Sequence, residues 1–475
     1  MTTALKVDLC VIGAGAAGLS VAAGAAQMGA NTVLIERARM GGDCLYTGCV
    51  PSKALLAAAE QAKTMASSDI FGVKSHAPEV DWARVRAHVH DVIAGIEPHD
   101  SPERFRGLGV NVIEADARFV GPREVEADGH RITARRFVVA TGSRPAVPPI
   151  PGLDTVPYLT NETLFDLEDQ PAHLIIIGGG AIGVEMAAAH RRLGARVTVV
   201  EMERILPRDD EELAGVVVES LGAEGIDFVT GAQASEVSGR AGEITVAYTQ
   251  GGQDASVTGS HLLVATGRRP NVENMGLEAA GIDFNGRGIT VDRRLRTSNR
   301  KVFAAGDVAG PHLFTHAAGY HAGIIIRNAL FAMPAKVDYA AMPHATYAEP
   351  ELAQVGLTEA EARATHGDAV KVTKWPLAEN DRARTERKTE GLIKVVTGRR
   401  GRILGAGIVG HGAGDLIAPW ILAINRKLNI NAMAGIIAPY PTFGEVTKRV
   451  AGEYFTDALF SPRTRRLVGV VQKLP

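Results

Sequence analysis

The sequence predicts an α/β fold, and three observations predict it. One 24-residue pattern occurs twice, each copy opening on spaced glycines and closing on a glutamate. Apolar, strand-like runs alternate with helix-forming segments. The 53 glycines gather in short motifs and form no low-complexity tract. A length of 475 residues exceeds what one core serves, so several domains are expected.

The first copy, residues 13–36, reads GAGAAGLSVAAGAAQMGANTVLIE; the second, 178–201, reads GGGAIGVEMAAAHRRLGARVTVVE. VDLCVI precedes one and HLIII the other, and the copies close on TVLI and VTVV, so each reads strand, tight turn, helix, glycine-stopped helix end, strand. Both carry G-x-G-x-x-G, at Gly13, Gly15 and Gly18 and at Gly178, Gly180 and Gly183. In such a unit the first glycine permits the turn and the second lets backbone approach a pyrophosphate. The third packs helix on strand, and the helix N-terminus faces the phosphates. Glu36 and Glu201 stand where an acid accepts from a ribose 2′-hydroxyl. Two Rossmann-like domains binding two dinucleotides are the expectation. A carboxylate at Glu201 repels a 2′-phosphate, so NAD(H) is favoured over NADP(H) at the second, with Arg204 the nearby residue that could accommodate one.

FVVATGSRP (137–145) and LLVATGRRP (262–270) read as late strands ending in Thr-Gly turns, and KVFAAGDV (301–308) as another strand, ending at Gly306 and Asp307. Asp307 is either a cofactor-binding acid or an ordinary turn aspartate.

Two of the three cysteines fall in GGDCLYTGCVPSK, residues 41–53. PSKALLAAAEQAKTMA is rich in helix formers with proline in its first turn, which puts Cys49 at a helix N-terminus, where the dipole favours thiolate. Cys44 is close enough to bridge to it, and so small a loop would stabilise the fold little. Reversible redox work explains the pair better than stapling or zinc ligation, since C-x4-C without a second pair is poor zinc spacing. Cys10, in its strand, reads as a core residue.

These motifs together resemble the class I pyridine nucleotide–disulfide oxidoreductases, a family that includes dihydrolipoamide dehydrogenase, glutathione reductase and mercuric reductase. HATYAEPELAQVGLTEAEA, residues 344–362, is similar to the opening of the family's C-terminal dimerisation domain. The resemblance implies a split FAD-binding domain (1–150 and 285–340), an NAD(P)-binding domain (151–284) and an α+β dimerisation domain (343–475). It assigns FAD to residues 13–36 and to Ala117, Thr141, Gly142, Ser143 and Asp307, and the nicotinamide nucleotide to 178–201 with Gly267. It further implies that electrons pass from NAD(P)H through flavin to a Cys44–Cys49 disulfide, with Cys49 nearest the flavin and Cys44 exchanging with a disulfide or other thiol-reactive substrate. Glu185, where the first copy has Ser20, would pair with Lys53 of P-x-K.

The family's thiol-exchanging members carry H-P-T-x-x-E near the C-terminus. Here YPTFGE (440–445) puts Tyr440 in the histidine's place and keeps Glu445. A phenol of pKa about 10 is a poor proton shuttle near neutrality, where histidine at about 6.5 suits. Mercuric reductases resemble this chain in having tyrosine there, which makes a metal-ion reductase using Cys44, Cys49 and Tyr440 the alternative. The tail RRLVGVVQKLP lacks their cysteine pair. A non-catalytic nucleotide-sensing flavoprotein is the alternative from another class. If Tyr440 comes from a partner subunit, a homodimer is required. His316, His321, His344 and His411 read as ordinary residues of turns and family-like segments, with one of them standing in for the missing base as the lesser alternative.

Basic and acidic residues nearly balance, 51 against 53, with no polybasic run. The whole-chain charge therefore gives no support to nucleic acid or an anionic membrane as partner, and no resident metal is expected. No run of 18 uncharged apolar residues suggests a membrane span, and three cysteines cannot build a secreted disulfide framework. Cytoplasmic residence is the expectation.

Overall fold

A computed structural model describes residues 3–474. Contact density divides the chain into two compact units. One runs to Gly178 and takes up Arg192–Val200 and Ala232–Asp338; the other holds Gly179–Arg191, Glu201–Gly231 and the chain from Tyr339.

The first unit is built on a seven-stranded sheet. Its strands β1 (Thr3–Ile12), β2 (Thr32–Glu36) and β3 (Val110–Glu114) run parallel. An antiparallel hairpin, β4 (Arg118–Gly121) and β5 (Glu124–Ala127), attaches through β6 (His130–Val139) to β1, and strand Val302–Ala304 pairs with β6. Leu9–Ile12 and Phe137–Val139 are continuously buried, as expected of parallel strands covered on both faces. Helix α1 (Ala16–Gln27) crosses from β1 to β2, burying Val21, Ala22 and Ala25. The cysteine segment follows as α2 (Gly42–Tyr46) and α3 (Cys49–Ser67). Helix α3 begins at Cys49, two residues before Pro51, so the thiol sits on the first helical residue.

Strand β7 (Ser143–Pro145) pairs antiparallel with Arg268–Pro270, so the two ATG-x-R-P segments lie against each other. Strand β8 (His173–Ile177) runs parallel to strands Arg196–Glu201 and His261–Val264, and a three-stranded meander spans Ala232–Gly259. The second unit carries a five-stranded antiparallel sheet over a core centred on the fully buried Trp420, with Ile393, Ile408 and Val446.

Candidate active site

The first dinucleotide turn and the cysteine segment are locked together by glycines. Gly13 has φ +100°, and a Cβ there would lie 2.4 Å from the Ala140 carbonyl oxygen. A Cβ on Gly42 (φ +61°) would meet Gly15 Cα at 3.0 Å, and Gly41 N–H donates to Ala14 O at 2.9 Å. The backbones of residues 13–15 and 41–42 thus approach as side-chain-bearing residues could not. A Cβ on Gly15 itself would have nothing within 4 Å, which leaves a cradle at the N-terminus of α1. Glu36 closes the turn, accepting from Ala14 N–H at 2.6 Å and Ala38 N–H at 2.9 Å. This donor set and cradle fit a dinucleotide pyrophosphate.

Cys44 and Cys49 are free thiols, near enough that each shifts the other's titration. Cys49 is exposed and Cys44 half-buried. Cys49 Sγ lies 3.3 Å from the hydroxyl of Thr315, the first residue of helix Thr315–Ala329. The Cys44 thiol, the Thr315 hydroxyl and the charge of Lys53 lower the Cys49 thiol to about 6, against burial, which raises it. Cys44 is pushed the opposite way by Cys49 and by burial. Cys10 is wholly buried and raised to about 12, the environment of an inert core thiol.

A polar network joins this pair to the rest of the unit. Asp43, beside Cys44, accepts from Thr47 Oγ1 (2.8 Å) and Asn161 Nδ2 (2.9 Å), and pairs with Arg268 at 3.2 Å. Arg268 donates through Nε to Ser143 Oγ (2.7 Å) and through Nη2 to Ser143 O (2.9 Å). Ser143 in turn donates to Asp307 Oδ2 at 2.5 Å. Burial raises the Asp307 carboxyl above its ordinary value, and the Ser143 hydroxyl and Arg268 oppose that rise. Thr141 and Gly142 are held by Asn271, whose backbone N–H bonds Gly142 O at 3.0 Å and whose side chain bonds Thr141 O at 2.9 Å. Ala117 packs half-buried against the sheet core, and Gly267 has φ +125° with its carbonyl accepting from Ala146 N–H. Tyr46 lies under the Arg39 guanidinium, 3.8 Å from its ring centre, and donates to Glu97, so it is a packing residue. Arg268, Asp43, Asn161, Asn271 and Thr315 escaped the sequence reading, although Asp43 lies inside GGDCLYTGCVPSK and Arg268 inside the second ATG turn.

The second turn repeats the first. Gly178 has φ +114°, and a Cβ there would sit 2.4 Å from Ala265 O. In the second unit Glu201 accepts from Gly179 N–H at 2.5 Å and Glu203 N–H at 2.8 Å. The Arg204 guanidinium is committed to the backbone carbonyls of Leu206, Pro207 and Asp209 at 2.9, 2.9 and 2.6 Å. Gly180 is open to an added Cβ, while Gly183 is buried in helix Ala181–Arg192. Glu185, 5% exposed on that helix, accepts from Tyr347 N–H at 3.0 Å.

Tyr440, 68% exposed, donates to Asp381 Oδ2 at 2.9 Å, and that bond holds the phenol above its ordinary pKa. Glu445 is held by Arg449, through Nε at 3.1 Å and Nη2 at 2.9 Å. Among the candidate histidines, His321 is buried and lowered to about 4 by that burial, and its Nδ1 accepts from Gly306 N–H. His344 bonds Asp209 and His411 bonds Glu349, each at 2.9 Å; His316 stacks on Phe314. Among the described residues, no cluster of metal-ligand type occurs and no helix is long and apolar enough to cross a membrane.

Residues 7–322 match the family model for pyridine nucleotide-disulphide oxidoreductases, and 342–451 match the dimerisation domain of the same family. The chain belongs to the pyridine nucleotide-disulphide oxidoreductases. It is 38% identical over 445 residues to dihydrolipoyl dehydrogenase of Thermus scotoductus, covering 92% of this chain and 95% of that one. It is 35% identical over 445 residues to mercuric reductase of Bacillus cereus, covering 93% and 70%. The HOCl-induced flavoprotein disulfide reductase RclA of Escherichia coli superposes with a TM-score of 0.83 at 28% identity, covering 94% of this chain and 99% of that one. The α/β fold expected from the glycine repeats is the family's fold, and the chain is an FAD-dependent oxidoreductase of this family.

Proposed function

We propose that the chain is an NADH-linked homodimeric enzyme whose Cys44–Cys49 pair delivers electrons to a disulfide or another thiol-reactive substrate. The observation that carries this reading is the Cys49 thiol, lowered to about 6 on the first residue of α3, in a segment packed glycine-on-glycine against the first dinucleotide turn. FAD, when bound, supplies a ring that takes two electrons from the nicotinamide and passes them to a disulfide. The residues that would hold it are Gly13, Gly15, Gly18, Glu36, Thr141, Gly142, Ser143 and Asp307. NADH is favoured because Glu201 is an acid and Arg204 is occupied by backbone carbonyls.

In the exchange, the Cys44 thiolate attacks one substrate sulfur, forming a mixed disulfide and expelling the other half as a thiolate. The Cys49 thiolate then attacks Cys44, closing the Cys44–Cys49 bond and releasing the second half. Cys44, the thiol held protonated in the pair, loses its proton before attack. Tyr440, tied to Asp381, is a poor base for that step. Ile437 and Tyr440, 96% and 68% exposed, are consistent with a face that a second subunit covers.

A metal-ion substrate is the second reading, favoured by the tyrosine at 440 and by the mercuric reductase relatives. Turnover of lipoamide, glutathione-type disulfides and Hg(II), measured side by side with NADH and NADPH, tests both. With Tyr440→His, a gain in lipoamide turnover on the order of 10²-fold supports thiol exchange limited by a missing base. An unchanged rate removes that explanation, and Hg(II) turnover lost on the same substitution selects the metal reading.

A further inference from the structure

The chain continues past the matched dimerisation domain, which ends at residue 451, into a helix that no core absorbs. The helix Pro462–Val471 starts on a sound local signal: Ser461 accepts from Thr464 N–H at 3.2 Å and proline occupies the first position. Upstream the chain is held by Lys371, which donates to Tyr454 O at 2.8 Å, and Thr464 Oγ1 donates back to Ala458 O at 2.7 Å. Beyond that tether the helix buries no residue at all.

Its sequence is nonetheless strongly two-faced. At 100° per residue, Leu467, Val470 and Val471 fall within about 100° of the circumference, with Val468 about 60° outside it and Leu474 just past the helix end. Leu467, Val470 and Leu474 are 62%, 62% and 65% exposed, and the preceding Leu459 and Phe460 are exposed as well. Arg465 and Gln472 project on the opposite side, and Arg466 and Lys473 flank the stripe. Arg463 lies on the apolar side, one turn ahead of Leu467. Residues 458–475 hold four cations and no acid, a local excess that the near-neutral total for the chain conceals.

We propose that this helix is an interfacial anchor that lies flat on an anionic lipid bilayer, its apolar face among the acyl chains and its arginines and lysine at the headgroups. An exposed apolar stripe bordered by cations is the pattern such helices share, and ten residues are too short to span. Charge complementarity selects the occupant: a two-fold pairing of the helix with its own copy would bring two sets of four cations together. The assignment is independent of the proposed substrate.

Co-sedimentation of the full-length holoenzyme with vesicles of phosphatidylglycerol and phosphatidylcholine in equal parts, against phosphatidylcholine alone, tests it. The expected result is binding to the anionic vesicles only, released by raised salt. R465Q/R466Q lowers affinity by about 30-fold, on the usual contribution of a cation near an anionic surface. L467E/V471E abolishes binding while vesicle-free NADH oxidation with an artificial acceptor is unchanged. Absence of binding to anionic vesicles, or binding that survives L467E/V471E, overturns the proposal. So does a wild type that ignores vesicles and whose dimer dissociates in L467E/V471E, an outcome that assigns the helix to a second copy.

Discussion

The two glycine turns are nearly superimposable in their local chemistry and differ in what surrounds them. Gly13 and Gly178 share a left-handed φ and the same 2.4 Å approach to a carbonyl oxygen, and Glu36 and Glu201 each tie off their turn with two backbone N–H bonds. The first turn, however, carries the cysteine segment on its back through Gly15 and Gly42. At the matching helical position, the first copy has an exposed Ser20 bonded to Ala16 O, and the second has the buried Glu185. The shared part of the motif is therefore a generic glycine turn closed by an acid. Specialisation comes from the residues that pack against it.

The most severe way to break the comparison is to close either turn. Gly13→Val should abolish flavin retention and leave a colourless protein. Gly178→Val should keep the flavin colour and raise KM for NADH on the order of 100-fold, because the helix N-terminus that meets the pyrophosphate is displaced. Flavin content and KM measured on both variants check this, and equal flavin loss in the two would contradict separate roles.

Next in size is Cys44→Ser, which acts only on the first side. Disulfide or metal turnover should fall by roughly 10³-fold or more, as expected when an attacking nucleophile is removed. NADH oxidation with an artificial acceptor should persist. Parallel loss of both activities would detach the cysteines from the relay.

The two acids sharpen the comparison. Glu201→Gln should reduce discrimination between NADH and NADPH by about 10-fold, and Glu36→Gln should weaken flavin binding by a similar factor without touching that preference. Steady-state kinetics with both nucleotides and flavin titration of apoprotein separate the two effects.

The smallest effect is a pH profile. In the reduced protein the Cys49 thiol, lowered to about 6, is protonated and slow below that pH and a reactive thiolate above it. Iodoacetamide labelling of Cys49 should therefore rise with pH to a plateau with its midpoint near 6. A midpoint in the ordinary thiol range would show that Cys44, Thr315 and Lys53 do not depress it.

Features whose determinants are local were legible in the sequence. Glycine spacing, terminal acids and the cysteine pair each report a geometry set within a few residues, so the strand-turn-helix units and the position of Cys49 could be read directly. The polar network was not legible. Asp43 meets Asn161 across 118 residues, Ser143 meets Asp307 across 164, and Cys49 meets Thr315 across 266. No periodicity encodes contacts of that range. Glu445 marks an intermediate case: its Arg449 partner lies one helical turn away, whereas Asp381, which takes the Tyr440 phenol, lies 59 residues upstream.

The short ladder between Ser143–Pro145 and Arg268–Pro270 brings the chain back to where it departed, with Arg268 opposite Pro145 and Ala146 N–H bonded to Gly267 O at 2.9 Å. Everything between those strands leaves and re-enters through a single doorway. A shortened gene splicing residue 145 to residue 268 through a few glycines would need no long tether, and would lose the Asn161 bond to Asp43 and the Leu167 bond to Trp82.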